Sequence, residues 1–136
     1  MATIMYASIV NYKNSKLLIE NKNACPKYED IDYNSDRAKK MFISYQLLPE
    51  ERRKIGIRNN KGNWLAVKDN NNILYMVLLS AEVSESWGYL FLSDLRKDLN
   101  TRIPDYHKKN QSFFIKNYQE NFNKVITSFN NEDNRF

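Results

Sequence analysis

Residues able to do covalent or acid–base chemistry are sparse. The chain holds one histidine, His107, and one cysteine, Cys25. A nucleophilic site needs a thiolate or alkoxide beside a base, with donors for the oxyanion that forms. His107 sits between Tyr106 and Lys108 in a polar stretch bounded by Pro104, and nothing beside Cys25 marks it as a thiolate. Both read as ordinary residues, so a role other than catalysis is expected.

Metal binding asks for several His, Cys or carboxylate ligands in register. Apart from the pairs Glu29-Asp30, Glu50-Glu51 and Glu132-Asp133 the carboxylates are scattered, some beside a lysine as at Lys97-Asp98, and no metal is expected. Gly56, Gly62 and Gly88 stand apart, forming neither a G-x-x-x-x-G-K-[ST] loop nor a G-x-G-x-x-G turn, so no nucleotide or other cofactor is expected.

Twenty-one basic against sixteen acidic residues leave a net charge of +5. The positive charge is spread over Lys39-Lys40, Arg52-Arg53-Lys54 and Lys108-Lys109, whereas nucleic-acid binders concentrate it on one face. These clusters suit a solvated surface, or contact with an acidic partner or anionic lipid. Tyr28, Tyr33 and Tyr45 lie among basic residues, but helix and strand periodicity assigns most aromatics to a core, and no nucleic-acid partner is expected.

A lone cysteine suits a reducing compartment, where the sequon Asn110-Gln111-Ser112 would escape glycosylation. No apolar run approaches the roughly 18 residues of a membrane span. The first residues lack a signal-peptide layout, so a chain that neither crosses a membrane nor is secreted is expected.

The elements that must position any site follow from periodicity. Thr3 to Asn11 reads as a strand and Leu17-Leu18-Ile19 as its hairpin partner. Asn34 and Ser35 offer N-cap chemistry for a helix from Ser35 to Leu48, ended by Pro49. Three strands follow, from Arg53 to Arg58, Asn63 to Lys68 and Ile73 to Leu79, with asparagine-rich turns at Asn59-Asn60 and Asn70-Asn71-Asn72. The last of them is apolar without alternation, which requires cover on both faces and predicts a central position. Helices from Ser84 to Asn100 and from Ser112 to Phe129, separated by Pro104, supply the second cover. The order β-β-α-β-β-β-α-α predicts an α+β domain over residues 1–129, with one antiparallel sheet between helical layers.

On the first helix, Ala38, Met41, Phe42 and Tyr45 recur at i, i+3, i+4 and i+7 as one apolar stripe. The short basic strand after it carries Ile55, Gly56 and Ile57. If that strand lies at a sheet edge, its free backbone groups beside spare apolar residues of the helix make a place for an extended peptide. The plainer alternative is that Met41, Phe42 and Tyr45 simply face the core.

The pattern resembles the longin domain of the Sec-twenty-two-type R-SNAREs. The resemblance is carried by Tyr75-Met76-Val77-Leu78-Leu79-Ser80 running into the helix that ends Leu92-Ser93-Asp94-Leu95, by Tyr33 to Phe42 with its Ala38-Lys39, and by the polar stretch before Ser112-Phe113-Phe114-Ile115. It departs from the family in the extra basic and asparagine residues of Arg53 to Asn63 and in the turn Asn70 to Asn72. The resemblance implies a profilin-like, five-stranded antiparallel sheet between one helix and two, and a non-catalytic sorting domain in transport between endoplasmic reticulum and Golgi. It implies a groove between first helix and third strand, formed by Ala38, Met41, Phe42, Tyr45, Ile55, Gly56 and Ile57. This groove would take the protein's own downstream SNARE segment, with inner COPII coat subunits recognising the closed form. Residues 130–136 would then begin a linker to a SNARE motif that pairs with Q-SNAREs and to a membrane anchor, on the cytosolic face of these membranes. Other readings are a longin-like subunit of a coat adaptor or tethering complex, and a profilin-like binder of actin or polyproline.

Overall fold

The computed structural model describes residues 3–22, 30–57 and 61–131. Cys25, Pro26, Tyr28, the turn Asn59-Asn60, Arg58 and residues 132–136 of the expected linker lie outside the described residues. Strands β1 (Ile4–Asn11), β2 (Leu17–Asn21), β3 (Arg52–Gly56), β4 (Gly62–Lys68) and β5 (Ile73–Ser80) form one sheet in the order β2-β1-β5-β4-β3, antiparallel throughout. Helix α1 (Ile31–Ser44) lies between β2 and β3 in sequence, and α2 (Glu85–Arg102), α3 (Gln111–Asn117) and α4 (Gln119–Asn130) follow the sheet. Over the described residues the fold is thus mixed α/β, with a five-stranded antiparallel sheet and four α-helices. None of the described helices is long and apolar enough to cross a membrane.

β5 is central and divides the core. Ile73, Tyr75, Val77 and Leu79 enter one apolar cluster with Phe91, Leu95 and Leu99 of α2, Phe114 of α3 and Phe122 and Ile126 of α4. Leu74, Met76 and Leu78 enter a second cluster with Ala38 and Phe42 of α1 and Leu47 just beyond it. The unbroken apolar run is therefore a period-two strand read on both faces at once. One helix covers one face and the other three cover the opposite face.

Most strand and helix ends fall within two residues of the sequence expectation, and the larger differences, in the first and last helices, have local reasons. The first helix begins at Ile31, because Asp30 is the N-cap: its carboxylate accepts from the Tyr33 backbone N–H at 3.1 Å. Asn34 and Ser35 are then interior, and the Ser35 hydroxyl donates back to the Asp32 carbonyl. The same helix ends at Ser44, before Pro49, because Gln46 adopts a left-handed φ of 53° and turns Leu47 into the core. The Leu47 N–H is then satisfied by the Tyr12 hydroxyl at 2.8 Å. The expected single last helix is two helices, since Tyr118 leaves helical geometry at φ −127° with its phenol hydrogen-bonded to Asp98 at 2.7 Å. A buried anchor, and no proline, makes this break.

Two glycines are required by close packing. A Cβ on Gly88 in α2 would meet side-chain atoms of Leu79 and Leu65 at 2.4 and 2.5 Å, so its absence sets how near α2 lies to the sheet. Gly62 opens β4 at φ +154°, where a Cβ would meet the Leu79 carbonyl oxygen. Gly88→Val should lower stability by about 2 kcal/mol through overpacking, read as a shift in urea midpoint at unchanged slope.

Tyr6, Tyr75 and Tyr118 are held well above the ordinary phenol value of 10.0, first by burial and then by their bonds or proximity to Glu20, Asp69 and Asp98 respectively. A folded-state value raised above the unfolded one favours the neutral phenol in the native state. Its stabilisation is present below pH 10.0 and is lost as the pH rises beyond it, where the unfolded chain ionises first. The contribution of these phenols to stability should be constant up to that region and fall above it. Tyrosinate absorbance from these three rings should appear together with unfolding, and ionisation that precedes unfolding would contradict the packing described.

Candidate peptide-binding edge

β3 forms one margin of the sheet and pairs on one side only, with β4. Ile57 N–H donates to the Gly62 carbonyl at 3.0 Å, continuing the same register. Backbone direction alternates along a strand, so Arg53, Ile55 and Ile57 turn their N–H and C=O groups toward β4. Arg52, Lys54 and Gly56 turn theirs outward, where no described strand meets them. The sheet thus offers a short row of open donors and acceptors.

Side chains alternate in the same way. Ile55 and Ile57 pack half-buried against the cluster on the α1 face. Arg53, on that same face, lays its guanidinium 4.7 Å from the centre of the Tyr45 ring, joining the end of α1 to the edge strand, and its other partner is the Glu51 carboxylate. That bond, with the Leu48 backbone N–H, holds the Glu51 carboxyl below its ordinary value. On the α2 face, Arg52 rests 4.8 Å from the centre of the Tyr89 ring, and Lys54 reaches the Glu85 carboxylate at 2.6 Å. Cations therefore emerge on both sides of one open strand.

The expected stripe on the first helix is divided between two jobs. Ala38 and Phe42 are 4% and 0% exposed and belong to the core, where Phe42 meets Tyr45 edge to face. Met41 is half-buried, and Tyr45 is 37% exposed. Leu48, just beyond the helix, is 69% exposed. The structure therefore brings Tyr45, Ile55, Gly56 and Ile57 to the edge, sends Ala38 and Phe42 inward, and leaves Met41 half-buried on the helix. Arg53 and its contact with Tyr45 were missed by the sequence reading, although a basic run directly after a helix bearing a terminal tyrosine was the available signal.

A second constellation went unnoticed in the sequence. Asp69, 3% exposed in the β4–β5 turn, accepts from the Asn71 and Ile73 N–H groups at 2.8 and 3.0 Å through one oxygen. Its other oxygen accepts from the hydroxyls of Tyr75 and Tyr106. Burial first, then the bond to Asp69, raises the Tyr106 phenol. Every side of the carboxylate is occupied, so it has no lone pair to offer a substrate and serves to lock the turn to the segment carrying Tyr106. His107 follows at once, with its ring edge-on to Tyr106, but no carboxylate orients it as a base. Among the described residues, no group of three or more His, Cys, Asp or Glu is placed to hold a metal ion.

Asp69→Asn keeps the shape but puts an amide donor where hydroxyls donate. It should cost about 2 kcal/mol of stability in denaturant titration, while leaving the β3 edge intact. A neutral outcome would mean that the network is not an anchor. In comparison with known proteins, no family model matches the chain and no curated protein resembles it in sequence.

Proposed function

We propose that this chain is a longin-type, non-catalytic regulatory domain of an R-SNARE acting between endoplasmic reticulum and Golgi, which binds an extended segment along the seam of α1 and β3. The observation that carries the reading is the open outer edge of β3, with half-buried Ile55 and Ile57 on one face and exposed Tyr45 held over Arg53 beside them. A five-stranded antiparallel sheet with one helix on one face supports it, being compatible with the fold that the sequence resemblance implies.

The mechanism is strand addition with side-chain pockets. An extended segment satisfies the outward groups of Arg52, Lys54 and Gly56, and its alternate side chains cover Ile55 and Ile57. Gly56 is exposed and carries no side chain, so a partner backbone approaches there without obstruction. Occupation by the protein's own SNARE segment would close the domain onto it and present a composite surface to inner COPII coat subunits. The endoplasmic reticulum and Golgi membranes would be met through an anchor outside this chain, on their cytosolic side.

Hydrogen exchange should be measured on the domain alone and with an R-SNARE motif peptide supplied in trans. New protection confined to residues 41–48 and 52–57 is expected, and Ile57→Asp should abolish it. Unchanged exchange in both segments would remove the peptide-binding reading.

A further inference from the structure

The alternation of side chains along β3 specifies what the edge selects. Its two outermost cations on the α2 face, Arg52 and Lys54, are two residues apart and both exposed. On the α1 face Ile55 and Ile57 are half-buried against apolar neighbours, and Arg53 before them is already engaged by the Tyr45 ring and the Glu51 carboxylate. A strand added beside β3 would alternate with the same period, so one of its faces would meet two cations and the other an apolar strip.

We propose that the open edge of β3 takes an extended segment in which carboxylates alternate with apolar residues, the carboxylates lying against Arg52 and Lys54 and the apolar side chains against Ile55 and Ile57. This rests on the reading of that edge as a peptide site and adds the chemistry of the occupant.

Charge decides among the possible occupants. A second copy of the chain paired antiparallel through β3 would bring Arg52, Arg53 and Lys54 of both copies onto one strip, and like charges across strands oppose such pairing. The same cations that bar self-association attract an acidic strand. Their present partners are easily exchanged: Lys54 and Glu85 are 46% and 50% exposed, and such solvent-screened surface pairs are weak. Arg52 faces an aromatic ring, which leaves its guanidinium edge available to a carboxylate. An incoming acid at Arg52 and Lys54 therefore gains more than it displaces.

The test uses the full chain and three capped peptides of about eight residues: alternating Glu and Val, the same residues in two blocks, and alternating Gln and Val. Binding is read by fluorescence anisotropy and located by amide chemical shifts. The alternating acidic peptide should bind about tenfold or more tightly than either control, a difference of about 1.4 kcal/mol. It should shift residues 52–57 and weaken on raising the salt. The double variant Arg52→Glu, Lys54→Glu should invert the preference toward an alternating Lys and Val peptide. Lys54→Gln, a milder change, should reduce acid binding without inversion, and the amide spectrum of each variant reports its fold. Equal binding of the Gln peptide, with shifts at β3, would overturn the acidic selection while leaving the peptide site in place. If all three peptides leave β3 unshifted, both readings fall.

Discussion

β5 has water on neither side and a hydrogen-bonded neighbour along each edge, and most of the architecture follows from that confinement. Its seven consecutive buried residues, Ile73 to Leu79, put apolar surface on both faces of the sheet, so helices must lie above and below it. Its backbone must be fully paired, which places β1 and β4 against it and relegates β2 and β3 to the margins. Gly88 then lets α2 approach Leu79 and Leu65 closely, and the saturated Asp69 carboxylate fixes the turn from which β5 starts. Among the described strands, β3 is left as a margin paired only with β4 after the central strand has claimed its neighbours.

Element order and the central position of the last strand were legible in the sequence because they depend on long apolar runs, the strongest local signal. Helix ends were less so. Asn34 and Ser35 look like caps, but Asp30 performs that role four residues earlier, and no pattern of apolar spacing separates the candidates. Pro49 is a conspicuous breaker, yet the helix stops where Gln46 turns left-handed, a choice made by the need to bury Leu47. Tyr118 interrupts the last helix through a hydrogen bond to Asp98, twenty residues distant, which periodicity cannot register.

The edge was legible in kind but not in detail. A helical stripe at Ala38, Met41, Phe42 and Tyr45 announces an apolar face without saying how wide the sheet beneath it is. The depth of Phe42 and the exposure of Tyr45 are set by where β4 ends and β3 begins under the helix. The stacking of Arg53 on Tyr45 and of Arg52 on Tyr89 depends on the strand's two-sided alternation against two different helices, a fact of assembly. Polar networks share this property. Asp69, Tyr75 and Tyr106 are unremarkable apart and meet only when the turn and the 3-10 segment Tyr106–Lys108 pack together.

The side chain of Asn130, at the close of α4, accepts from the Ile4 backbone N–H at 2.7 Å and donates to the Ile4 carbonyl at 3.4 Å. One amide thereby imitates a strand partner for the first residue of β1 and fastens the last element to the first. The backbone path from Ile4 to Asn130 is close to a ring, and a ring has no privileged opening. Which element a ribosome makes first is then incidental to the architecture, and the same sheet and helices are compatible with a polypeptide joined at this clasp and opened elsewhere, at an exposed turn.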